Sequence, residues 1–193
     1  MTTETEAHDV ESESVNSDLG TFEVFNYRTQ SEEFPNLTAE QVVNWDHDAK
    51  GEAEFWPSGD SPEVALIFKG QSTVTGSELL TLDSLLGDLG GDSVVNFLLI
   101  YSALNQGGPL EILTKDSIED NPPQIFVGTS FLDVRRAAAY ELFELYYPDE
   151  YRVWEKSTCD GLTFDEDRFL DSPSFSTEEI RLGDKVFLLV SSQ

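Results

Sequence analysis

The side chains able to do chemistry in this chain are overwhelmingly carboxylates. Two clusters stand out: Asp46-His47-Asp48-Ala49-Lys50-Gly51-Glu52, and Asp165-Glu166-Asp167 with Asp171. The first copies the start of a calcium loop, with acids at positions one and three and glycine at six. It then departs from that pattern twice, because Lys50 takes the fifth position and Pro57 stands where the bidentate glutamate belongs. The second is dense in carboxylate but has no glycine where a metal loop turns. Solvated acidic loops are expected at both, and no metal is assigned. Paired carboxylates also serve glycosidases as acid and base. With 38 acids in the chain, however, any chosen pair is expected by chance.

Other chemistry is sparse. His8 and His47 are the imidazoles and Cys159 the lone thiol. A Cys159–His47 nucleophile pair could be assembled only by the fold, and nothing local supports one. A single cysteine forms no intramolecular disulfide and no cysteine-based zinc site. The phosphate-cradling patterns G-x-x-x-x-G-K-[ST] and G-x-G-x-x-G are absent, as are G-x-S-x-G and H-E-x-x-H. The sequence nominates no catalytic residue and no cofactor, so a non-enzymatic role is expected.

The elements that must carry these carboxylates can be read from periodicity and breakers. Residues 1–20 hold six acids, no base and scattered apolar groups, which predicts a disordered acidic tail and leaves 21–193 as one domain. Thr21–Arg28 reads as a strand, and Thr38 as the N-cap of a short helix through Trp45. Asp46–Asp60 reads as loop, and Val64–Phe68 as a buried strand. Leucines 79, 82, 85, 86 and 89 have helical spacing and stop at Gly90-Gly91.

A second helix follows through Asn105, although its apolar stretch Val94–Tyr101 also suits a buried strand. Short strands are expected at Leu110–Thr114 and Gln124–Val127. The clearest helix is Phe131–Tyr147, with Ser130 and Asp133 spaced as a capping box and Pro148 closing it. Phe131, Val134, Ala138, Leu142 and Leu145 share its apolar face, and Arg135 intrudes there. That arginine must snorkel to the edge or pair with a buried carboxylate. Tyr151–Lys156 reads as further helix, and Phe175–Arg181 with Val186–Val190 as a closing hairpin. The mixed order predicts α+β: a mixed or antiparallel sheet with several helices in a single domain.

The balance of 38 acids against 11 bases gives a net charge of −27. Residues 1–60 carry fifteen acids and two bases, 61–120 nine and two, and 121–193 fourteen and seven. Direct nucleic-acid binding through basic patches is excluded, because phosphates would be repelled. Anionic lipid is disfavoured for the same reason. No apolar run is long enough to span a membrane, and the N-terminus has neither the basic start nor the apolar stretch of a signal peptide. A cytoplasmic protein is expected.

Three uses of surplus carboxylate fit. Asp and Glu fixed on a rigid surface can stand in for the phosphates of duplex DNA, about one charge per 1.7 Å of axis, and occupy a basic channel. In composition and size, not in any motif, the chain resembles DNA-mimic inhibitors from phages and plasmids, which block restriction, CRISPR or other DNA-binding machinery. The partner this implies is a basic DNA-binding protein or nuclease. The second use is solubility in a salt-rich cytoplasm. The third is an immunity protein shaped to one basic nuclease toxin. Under mimicry the contact residues are Asp46, Asp48, Glu52 and Glu54 beside Trp45 and Trp56, and Asp165, Glu166, Asp167 and Asp171 beside Phe164 and Phe169. Glu141 and Glu144 on the clearest helix form a third group.

Overall fold

A computed structural model describes residues 19–26, 37–49, 53–71, 73–90, 93–157 and 164–193. The acidic tail assigned to 1–20 falls outside these except for Leu19 and Gly20, and Leu19 is already buried in the core.

The N-terminal part builds a small antiparallel sheet from β1 (Thr21–Asn26), β2 (Leu37–Thr38) and β3 (Ala53–Pro57), in the order β2-β1-β3. Strand β1 alternates as its sequence dictates: Phe22 and Val24 are buried while Glu23 is exposed. Glu23 faces Trp56 across the β1–β3 ladder and accepts a 3.0 Å hydrogen bond from its Nε1. Thr38 caps α1 (Ala39–Ala49) as read, since its hydroxyl accepts from the Gln41 N–H and Gln41 returns a bond to the Thr38 N–H. Of the segment read as loop, 46–49 end α1 and 53–57 form β3, 58–60 are loop and turn as read, and 50–52 lie outside the described residues.

Val64–Phe68 is not a strand. It lies in and just after helix α2 (Pro62–Ile67), which has proline in its first turn and buries Val64 and Ile67, three positions apart, while exposing Ala65. A short apolar run suits either period, and the Ser-Pro start decides for helix. Helix α3 (Gly76–Leu89) has a full capping box between Thr75 and Glu78, and Gly90 ends it. Helix α4 (Ser93–Asn105) is buried at Asn96, Phe97, Leu98, Ile100, Tyr101 and Ser102, so its strand alternative falls. Leu110–Thr114 is not a strand either. Leu110–Ile112 forms a single 3₁₀ turn, and Thr114 caps α5 (Lys115–Glu119) through a box with Ser117.

The C-terminal part is a second antiparallel sheet, β4 (Gln124–Gly128), β6 (Lys185–Ser192) and β5 (Phe175–Leu182), in the order β4-β6-β5. The expected hairpin is present, and Gly183 (φ +61°) supplies the left-handed turn residue. Helix α6 (Phe131–Tyr146) lies on one face of this sheet, followed by α7 (Pro148–Ser157) and α8 (Glu166–Leu170). The capping box expected at Ser130 does not form; its side chain makes no cap bond.

The sheet β4-β6-β5 divides two cores. Phe187 and Leu189 of β6, with Ile180 and Leu182 of β5, join the large core built by β1–β3 and α1–α5. Val186, Leu188 and Val190 turn the other way, against Val134, Ala138, Ala139 and Leu142 of α6. Covering on both faces explains why Val186–Val190 is an unbroken apolar run. The architecture is α+β, with two antiparallel sheets rather than one. Among the described residues, no helix is long and apolar enough to cross a membrane.

Candidate acidic interface

Arg135 organises the first acidic face. Its position on α6 places it among apolar neighbours, with 17% of the side chain exposed. The guanidinium reaches three carboxylates: Nε donates to Asp167 at 3.0 Å, Nη2 to Asp171 at 2.9 Å and Nη1 to Glu179 at 3.1 Å. The arginine does pair, but not with the buried carboxylate expected: its three partners are themselves exposed, and it reaches them at the edge of the helix–sheet packing. Burial works against the arginine's charge, but the hydrogen bonds it donates to Asp171, Asp167 and Glu179 more than offset this and hold its pKa above the ordinary value.

The predicted cluster around α8 is therefore brought together, and mostly engaged. Asp165 is the N-cap of α8 and accepts from the Arg168 N–H at 3.0 Å. Glu166 accepts from the Tyr140 hydroxyl at 3.1 Å and lies 3.6 Å from Arg136 Nε. Burial, then the Glu166 bond, raises the Tyr140 pKa. Arg135 takes Asp167 and Asp171. Glu179 on β5 was absent from the sequence expectation, because only the sheet register carries it to this site. Glu54 stands on β3 opposite Phe25, half-buried. Glu52 and the side chains of Asp46 and Asp48 lie outside the described residues, as does Cys159.

A second acidic surface has a different character. Glu141 and Glu144 point to solvent from α6, and Asp149 and Glu150 from the start of α7. Between them the chain leaves large apolar groups in water: Leu145 at 59% exposure, Tyr146 at 46% and Tyr147 at 42%, with Val153 of α7 at 62%. Leu145 was expected on the buried face of α6, but that face ends at Leu142.

The two tyrosines are fixed from beneath by a continuous aromatic cluster. Tyr146 meets Phe175 at 5.6 Å between centroids, Tyr147 meets Phe169 edge-on at 6.1 Å, and Phe169 meets Phe175 at 5.3 Å. Phe143 stacks on Phe164 at 4.6 Å, and Trp154 joins from α7. Thus Phe164 and Phe169, named above as contact aromatics, form the floor of this surface. The signal that could have located it is the string Glu144-Leu-Tyr-Tyr-Pro-Asp-Glu150, in which acids bracket an apolar run at a helix end.

Glu178 on β5 behaves differently again. It turns toward α4, where the Tyr101 hydroxyl and Asn105 Nδ2 donate to its two oxygens, the latter at 3.0 Å. Burial, with the Glu178 bond second, raises the Tyr101 pKa. Open clefts flank this pair, one of about 700 Å³ toward Lys69 and Glu111 and one of about 310 Å³ lined by Ser102, Asn121 and Ser191. Among the described residues, no group of three or more His, Cys, Asp or Glu side chains is arranged to hold a metal ion. No protein-family model, curated protein or solved structure matches the chain.

Proposed function

We propose that this chain is a DNA-mimic type inhibitory protein. It presents surface carboxylates in place of DNA phosphates and blocks a basic DNA-binding protein or nuclease in the cytoplasm. Its role is one of counter-defence, such as relief of restriction or CRISPR interference for a phage or plasmid. The activity is one of binding, and no residue is assigned a catalytic step.

The observation that carries this reading is the charge itself. A net charge of −27 has no internal counterpart, whatever pairing the fold arranges. Carboxylates held on folded helices and strands, such as Glu141, Glu144, Asp149 and Glu150, supply a fixed negative field that speeds encounter with a basic surface. The test is a pull-down from bacterial lysate at low salt, followed by competition with duplex DNA. Capture of a DNA-binding protein that DNA or salt releases is the expected result, and retention of nothing basic overturns the reading.

One observation favours a second reading, adaptation to a salt-rich cytoplasm. Exposed acids occur from Glu23 on β1 to Asp184 in the β5–β6 turn, so they are spread over elements of both sheets. A coat of carboxylates serves solubility, whereas mimicry needs only one face.

A further inference from the structure

The geometry points to the corner between α6 and α7 as a docking surface for arginine side chains of a partner protein. This rests on the proposed function, and it selects one of the acidic faces as the one that makes contact. Around Arg135 the carboxylates of Asp167, Asp171 and Glu179 already hold a guanidinium, so a partner's cation would compete with an internal one.

At the corner, Tyr146 and Tyr147 expose nearly half of their surface, with the exposed acids Glu141 and Glu144 preceding them along α6 and Asp149 and Glu150 following them at the start of α7. The bases on α7 are Arg152, 3.4 Å from Asp149, and Lys156, so the corner keeps a negative surplus.

An apolar patch rimmed by charge is a contact site by composition, and tyrosine is among the residues that anchor such contacts. The rim fixes the partner's sign. The rings fix its identity further, because a planar guanidinium stacks on an aromatic face while offering its edge to a carboxylate. A lysine ammonium, compact and strongly hydrated, gains less from the same arrangement. The molecule already uses both halves of this recognition internally. Arg181 lies 5.3 Å over the Phe131 ring, and Arg135 divides its edge among three carboxylates. The corner presents both kinds of group outward. The rings are also preorganised, since Phe169 and Phe175 hold them from below, and little side-chain entropy remains to be lost on contact.

Binding of nona-arginine and nona-lysine to the full chain at low salt, followed by calorimetry, tests this. Nona-arginine is expected to bind about tenfold tighter. Tyr146→Leu with Tyr147→Leu should reduce that preference to about twofold or less, while Tyr146→Phe with Tyr147→Phe keeps it, because the rings remain. Neutralising the distant acids of α5 and its end (Asp116→Asn, Glu119→Gln, Asp120→Asn) should weaken both peptides alike.

Amide shifts in the unmodified protein, titrated with nona-arginine, should concentrate at Leu145–Glu150, and this readout stands even if the leucine variant unfolds. If both peptides bind and the preference survives in a folded leucine variant, or the shifts fall elsewhere, the docking surface is wrong while the wider function stands. If neither peptide binds, the docking surface and the wider function fall together.

Discussion

Arg135 is a three-way tie within the C-terminal half. It ties α6 to α8 and to β5 by bonds spanning 32, 36 and 44 positions of sequence. Its partners are well exposed, so each pair is screened and contributes well under what a buried pair would. Taken as a network on one fork, the three are worth about 1–2 kcal/mol in all. Replacing Arg135 by Met keeps the apolar stem and removes the charge, leaving Asp167, Asp171 and Glu179 to repel one another. Urea denaturation is expected to show a loss of that size at low salt, shrinking as salt is added. An unchanged midpoint would show that the fork orders the surface without stabilising it.

At the scale of elements, the junction before β1 shows how closely neighbouring segments are fitted. Gly20 has φ +77°, and a Cβ built there would sit 1.7 Å from Ser61 Oγ. That same oxygen accepts from the Thr21 N–H at 3.1 Å, and the Ser58 N–H donates to the Thr21 carbonyl at 2.9 Å. Asp60 completes the knot by accepting from Ser58 and, at 2.8 Å, from Thr21 Oγ1. These two bonds, Ser58 first, lower the pKa of Asp60. The strand start and the N-terminus of α2 are thereby held together, with no space for a side chain between them. Gly20→Ala combines a disfavoured backbone conformation with a clash, and is expected to cost about 2 kcal/mol or more. A thermal melt checks this; a variant as stable as the parent would mean that Ser61 can turn away at no cost.

For the whole molecule the governing quantity is self-repulsion. A charge of −27 on one short chain opposes compaction, and the opposition weakens as salt shortens the screening length to about 10 Å at 0.1 M. Two packed cores sharing the β4-β6-β5 wall, together with bridges such as Arg135, oppose that repulsion. Under the proposed function the chain must stay folded in dilute buffer, where its field reaches furthest. Melts at low and molar salt are expected to show a folded protein in both, with a modest rise in Tm. Unfolding when salt is removed would instead identify the acidity as an adaptation to salt.

Much of this was legible in the residues. The cap at Thr38, the leucine spacing of α3, the long helix α6 and the C-terminal hairpin follow from local rules, because their determinants lie within a few positions of one another. The net charge is likewise a property of composition alone. Short apolar runs were not legible: Val64–Phe68 and Leu110–Thr114 fit strand and helix alike until their starts are seen to be helical. The roles of the carboxylates were least legible of all. Asp167 and Asp171 look like free charge in the sequence, yet they face an arginine more than thirty positions away. Sequence determined how much charge there is and most of the elements that hold it. Which acids are engaged and which stand open beside Tyr146 and Tyr147 was decided by tertiary packing, since ion pairing depends on distance in space and not along the chain.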